Sequence, residues 1–174
     1  MPAEPSTSTA HYMLNTSLLS MTTPLEVGIG CRDLAVMRQF YQHTLGLQFV
    51  SEARIPVHVA QTYRLARGSA TVVRMQTSRG ERIKLIAPDE APALPAEYPT
   101  YVFDLPNVMY LTFIITDVPA AMVRLLEAGV SFMTGPAPIQ SRPGVTVAFL
   151  RDPEGNIIEL VQYDDVPAYR PDLQ

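Results

Sequence analysis

Cysteine is almost absent from this 174-residue chain. Cys31 stands alone, so neither an internal disulfide nor a cysteine-built zinc site can form, a usage that suits a reducing compartment. Long apolar runs are missing as well. No stretch approaches the ~18 residues of a bilayer-spanning helix, and residues 1–31 hold no Lys or Arg to open a signal peptide or a mitochondrial presequence. The expected location is the cytoplasm, with no membrane partner. Positive charge is scarce and dispersed: 13 Lys and Arg stand against 17 Asp and Glu, a net charge of -4. No basic stripe is available to neutralise phosphates, which excludes nucleic acid as a partner. There is also no Gly-rich phosphate loop, no Gly-x-Ser-x-Gly elbow and no His-Glu-x-x-His pair. Nucleotide-dependent transferases, serine hydrolases and zinc proteases lose their usual warrant. What is present is 47% hydrophobic and 17% charged, a composition that buries a core and leaves room for one domain or two small modules.

Residues 1–22 are rich in Ser, Thr and Pro without sustained periodicity and read as an N-terminal extension. From Leu25 the pattern changes. LEVGIGC alternates as a strand, Asp33 caps a helix whose apolar face is Leu34, Met37, Phe40, Tyr41 and Leu45, and Gly46 closes it. Four β-type segments are then expected: LQFVSEARI, AQTYRLA, ATVVRMQ and ERIKLIAP. The order repeats after VMYLTFIIT, with Asp117 as cap, Pro119 in the first turn, Val118, Ala121, Met122, Leu125 and Leu126 as apolar face, and Gly129 as stop. VSFMTGPAPI, VTVAFLR and NIIELVQY follow as expected strands. Asp33 and Asp117 lie 84 residues apart in matching positions, which points to an internal duplication. The division is an extension (1–22), a first βαβββ module (23–88), a Pro-rich linker (89–106), a second βαβββ module (107–163) and a C-terminal tail (164–174). So long a linker is expected to border the ligand cavity or to reach a second subunit.

Strand parity separates the faces. Val27, Ile29 and Cys31, then Ile83 and Leu85, Leu111, Phe113 and Ile115, and Ile158 and Leu160 form the uniformly apolar parity that packs on helices. The opposite faces carry Glu26, Lys84, Tyr110 and Glu159, with Gly28, Gly30 and Thr112 beside them.

The two modules, the openings CRDLAVMRQFYQHTLGLQF and ITDVPAAMVRLLEAGV, and the closing RDPEGNIIELVQ resemble the vicinal oxygen chelate superfamily, which includes glyoxalase I, bleomycin-resistance proteins and extradiol dioxygenases. The resemblance covers residues 24–163. It implies an α+β fold in which tandem βαβββ modules form a curved mixed sheet around a cavity, glyoxalase-like, with a small-molecule substrate and a homodimer as assembly. In metal-dependent members the positions matched by Glu26, Lys84, Tyr110 and Glu159 carry His or Gln, Glu, His and Glu. Here the set departs from that pattern at three of four. A protonated lysine has no lone pair to give, and a phenol must lose a proton of pKa ~10 to become a good ligand. No cofactor is expected; if a metal binds, Glu26 and Glu159 are its ligands, with His58 as a third candidate.

Lys84 is the only lysine of the chain. It either neutralises Glu26 and Glu159 or stands where the metal stands in relatives, holding a substrate carbonyl, enolate or carboxylate. The expected activity is a metal-independent isomerase, epimerase or lyase moving a proton next to a carbonyl, with Glu159 or Glu26 as base and Tyr110 as hydrogen-bond donor. The alternatives are a binding protein of the bleomycin-resistance type and a metalloenzyme with atypical ligands. His58, in a segment linking strands, and Arg64 and Arg74, both expected in strands, are candidate ligand-binding residues, the arginines for an anionic group. Gly28 and Gly30 remove side chains from the same wall. His43 suits a helix C-terminus, His11 falls in the extension, and Cys31 belongs to the buried parity.

Overall fold

Asp33 and Asp117 open the two principal helices by the same bond. The Asp33 side chain accepts from the Val36 amide at the start of α1 (Leu34–Gln39), and Asp117 accepts from the Ala120 amide at the start of α3 (Val118–Glu127). Each cap follows a strand, β1 (Glu26–Gly30) or β5 (Tyr110–Ile114). The computed structural model describes residues 21–104 and 106–173. The extension, His11 included, lies almost wholly outside the described residues.

In the first module α1 runs into a π-helical turn, Phe40–Thr44, which keeps Phe40 and Tyr41 buried. Gly46, at φ +78°, ends the turn. β2 (Gln48–Ile55), α2 (Val57–Thr62), β3 (Ala70–Gln76) and β4 (Arg82–Pro88) follow. The second module repeats the plan with β6 (Ile139–Arg142), β7 (Val145–Arg151) and β8 (Ile157–Tyr163). The sheets have the equivalent orders β1-β4-β3-β2 and β5-β8-β7-β6. In each, the first strand pairs in parallel with the last and the remaining neighbours are antiparallel. This is the expected α+β plan of two βαβββ modules, built as two four-stranded mixed sheets. Among the described residues no helix is long and apolar enough to cross a membrane.

Two expected strands are not strands. AQTYRLA lies mostly in α2 and the turn after it, because Pro56 fixes an extended residue immediately before the helix and Arg64 adopts φ +56° beyond it. VSFMTGPAPI contributes one isolated bridge, Phe132 to Leu150, before β6 begins at its last residue. Pro136 and Pro138 remove the backbone donors that a longer ladder would need.

The helical faces of both sheets merge into one core. Cys31, Met37, Tyr41, Val73, Leu85 and Met122 belong to it, with Leu150, Ile158 and Leu160 from the second sheet. A change such as Leu85→Ala in this cluster costs about 2–5 kcal/mol by the usual cavity penalty. Two polar joints tie the modules on the same side. The Tyr41 hydroxyl donates to Asp152 Oδ2 at 3.0 Å, and the Glu154 carboxylate accepts the Arg32 and Asp33 amides at 2.6–2.9 Å. The second joint places a negative charge at the N-terminus of α1, where the helix dipole favours it. A cleft of about 340 Å³ between Leu45, Phe113, Ala121 and Arg124 lies on this helical side, away from the faces that carry Lys84 and Glu159.

Candidate functional site

With the helical faces committed to the core, the candidate residues lie on the opposite faces of the sheets, beside the buried Ala70, Val72, Ile157 and Val161. On the first sheet, the parallel register sets Glu26 beside Arg82 and Gly28 beside Lys84, while the antiparallel register sets Arg74 beside Lys84 on the other flank. Glu26 is shared: its Oε1 lies 3.5 Å from Arg82 and its Oε2 3.6 Å from the Lys84 ammonium. The Glu26 and Lys84 side chains are 32% and 31% exposed, so this pair is neither free in solvent nor sealed in a core. Arg82 also donates to Gln76 at 2.8 Å. Gly28 and Gly30 are exposed; a Cβ added at Gly30 would meet nothing within 4 Å, whereas one at Gly28, beside Lys84, would meet the Ile86 side chain at 3.4 Å. The floor is therefore open at Gly30 and bordered by Ile86 at Gly28.

On the second sheet Thr112 and Glu159 are register partners, and the Thr112 hydroxyl donates to Glu159 Oε2 at 2.7 Å. Glu159 is half-buried, and its other oxygen has no hydrogen bond among the described residues. Tyr110 packs with Phe103 of the linker and Phe149 of β7, ring centroids 6.2 and 5.7 Å away. The Tyr110 hydroxyl has no bond among the described residues either, which leaves it a free donor at an aromatic wall. At the far end of β8, Tyr163 stacks on Tyr169 of α4 (Val166–Tyr169) at 3.8 Å. The neighbouring Tyr169 hydroxyl, followed by burial, pushes the Tyr163 phenol up to about 12.

The linker closes one flank of this second face. The Tyr98 hydroxyl donates to the Glu154 carbonyl at 2.6 Å, and Arg151 reaches the Pro99 carbonyl at 2.7 Å. The Tyr98 ring occupies the space a Cβ at Gly155 would need, and Gly155 itself sits at φ +87°, so the turn requires glycine twice over. The sequence pointed to a linker that borders the ligand cavity or reaches a second subunit, without indicating these anchors. A tyrosine between prolines facing a Pro-x-Gly turn was the available signal.

The candidates thus fall into two groups. Lys84 pairs with Glu26 and, among the described residues, forms no ion pair with Glu159, so the expected ammonium between two carboxylates is replaced by a one-sided pair. Arg74 stays with the Lys84 group, whereas Arg64 leaves it, because its turn after α2 carries it to an exposed position. His58 is likewise exposed, in α2, the short helix of the segment that links β2 to β3. His43 is exposed near the end of the π-helical turn. Cys31 is buried, and burial followed by the nearby Glu154, Asp152 and Asp33 charges pushes its thiol up to about 12. At neutral pH it is not a nucleophile.

Glu26 is already held by an ammonium and a guanidinium, and among the described residues no three His, Cys, Asp or Glu side chains cluster as ligands.

Residues 23–160 match the family described as the Glyoxalase/Bleomycin resistance protein/Dioxygenase superfamily. The chain belongs to this superfamily. Solved structures with the same fold include a glyoxalase family protein from Bacillus cereus, 19% identical, with TM-score 0.69, covering 84% of this chain and 97% of the other. Others are a glyoxylase/bleomycin resistance protein/dioxygenase domain from a Frankia species (18% identity, TM-score 0.60, 84% and 93% covered) and a glyoxalase family protein from Enterococcus faecalis (17%, 0.58, 83% and 99%). No curated protein matches. At these identities the neighbours speak for the glyoxalase-like fold and leave the chemistry to the residues.

Proposed function

We propose that this glyoxalase-superfamily chain is a metal-independent isomerase, epimerase or lyase that moves a proton next to the carbonyl of a small oxygenated metabolite. The observation that carries the reading is the contrast between its two carboxylates. Glu26 is held between Arg82 and Lys84, while Glu159 is oriented by a single hydroxyl and keeps one oxygen open. Glu159 is therefore the base and Glu26 the residue that positions Lys84. In the proposed step Glu159 takes the proton from the carbon next to the carbonyl, and the electron pair moves onto the carbonyl oxygen. The Lys84 ammonium holds the enolate that results, with Tyr110 as a further donor. Return of the proton to the opposite face or to a neighbouring atom gives an epimer or isomer; loss of a group from the next carbon gives a lyase product. The reading has both open faces address one ligand.

The test is deuterium exchange at carbons next to carbonyls, followed by NMR over a panel of small oxo compounds. Exchange by the native chain is expected to fall by about 10²–10³-fold in Lys84→Met, the usual cost of removing a transition-state donor, and to be lost in Glu159→Gln. Because Lys84 is a third exposed, Lys84→Met should change stability by less than about 1 kcal/mol. Saturable ligand binding without any exchange would favour the second reading, a sequestering protein, which the wall of Phe103, Tyr110 and Phe149 supports.

A further inference from the structure

The open face of the first sheet has more positive charge than its partners can use. Arg74, Arg82 and Lys84 share it with one carboxylate, Glu26, so three positive charges against one negative leave two unbalanced. This occurs in a chain whose net charge is -4 and which has a single lysine. Glu26 is already divided between Arg82 and Lys84 at 3.5 and 3.6 Å, both long for a charge-assisted bond. Arg74 has neither ion pair nor hydrogen bond among the described residues, although it is half-buried. It stands directly across from Lys84 in the antiparallel ladder, an arrangement in which like charges destabilise a sheet. On the opposite flank of Lys84, Gly28 and Gly30 carry no side chain of their own; the Ile86 side chain lies 3.4 Å from where a Cβ at Gly28 would stand, and the space over Gly30 is open.

We propose that Arg74 and Lys84 form an oxyanion-binding pair that selects a small ligand carrying a carboxylate or phosphate group. The anion lies between the Arg74 fork and the Lys84 ammonium, and the rest of the ligand extends over the shelf of Gly28 and Gly30. A planar guanidinium with free donors matches two oxygens of either group at once, and the ammonium supplies a third contact. Binding removes the like-charge repulsion that the empty face tolerates. This rests on the open face being the ligand face, as in the reading above, and adds to it the charge of the ligand.

Three probes with one ring and different heads test it by titration calorimetry: benzoate, phenyl phosphate and benzyl alcohol. At least one anion should bind about ten-fold or more tightly than the alcohol, as expected for hydrogen bonds to a charged group, and the preferred anion distinguishes carboxylate from phosphate. Arg74→Gln should remove that advantage and leave alcohol binding unchanged, while Arg74→Lys should keep part of it. Arg74 makes no bond to lose, so both variants are expected to melt like the native chain, which circular dichroism checks. Equal affinity for the alcohol and the anions, anion affinity unchanged in Arg74→Gln, or no anion binding at about 10 mM, far above useful affinity, would each overturn the proposal. The assay reads binding alone. An anion preference without proton exchange would therefore sink the catalytic reading and leave this one standing, and exchange on neutral carbonyl compounds without an anion preference would do the reverse.

Discussion

The two modules share a strand order and a capped helix, yet the turns before their last strands do opposite things. Among the described residues, the turn at residues 77–81 of the first module bonds only to itself, with Thr77 accepting from the Arg79 amide and donating to Glu81. In the second, the turn at residues 152–156 reaches across the molecule. Asp152 takes the Tyr41 hydroxyl, Glu154 takes the amides at the start of α1, and Gly155 receives the ring of Tyr98. The open faces differ in the same sense. The first is cationic with two glycines beside Ile86 as its floor; the second has a carboxylate, an aromatic wall, and linker and tail packed along it. The two modules share one plan. The second organises the joint and the apolar wall, and the first presents charge.

Breaking the joint is expected to have the largest effect. Asp152 is buried and accepts four bonds, two from backbone amides and two from the side chains of Tyr41 and Asn156. Asp152→Ala leaves the buried Tyr41 hydroxyl without an acceptor and should cost about 3 kcal/mol, read by urea unfolding. Thr77→Ala, in the matching turn of the first module, should cost well under half as much, and equal losses would show that the turns are not specialised. Next comes Gly155→Ala. The left-handed φ and the overlap with Tyr98 together should cost about 2 kcal/mol, with protease cleavage of the linker accelerated because its anchor is displaced. Glu154→Gln is a smaller change. It keeps an acceptor at the start of α1 and removes the charge, so about 0.5–1 kcal/mol should be lost.

How much of this was legible in the sequence follows from what each feature depends on. The strand faces were, because parity is local: Val27, Ile29, Ile83, Leu85, Phe113, Ile158 and Leu160 all join the core or pack against it. The helix caps were legible for the same reason. AQTYRLA was misread because Tyr, Leu and a following Gly-Ser turn resemble a strand, while the helix is set by Pro56 upstream. The pairing of Lys84 with Glu26 alone was not legible, since parity assigns a face and says nothing of which sheet a partner comes from. Nor were the roles of Asp152, Glu154 and Tyr98. Their partners lie 111, 122 and 56 residues away, and only the folded chain brings them together.

The smallest expected effect is a pH dependence, and it sharpens the contrast between the joint and the open faces. Burial raises the Asp152 carboxyl above its ordinary 3.8, against the opposing pull of the bonds from Asn156, Tyr41 and the Glu154 amide. A group whose folded value is raised binds its proton more tightly in the folded state. Its contribution to stability is therefore full below the unfolded value near 3.8 and is lost as pH rises through the higher folded value. Asp152→Asn abolishes this titration. The stability of the native chain minus that of Asp152→Asn, from urea unfolding at intervals between about pH 3 and 7, should decline as pH rises and then level off. The same comparison with Lys84→Met should show no corresponding decline, because that variant leaves Asp152 and its surroundings unchanged. A native-minus-variant difference for Asp152→Asn that grew with pH would mean the carboxylate is stabilised by its four donors more than burial penalises it, and the joint would then be held by charge in the same way as the open face.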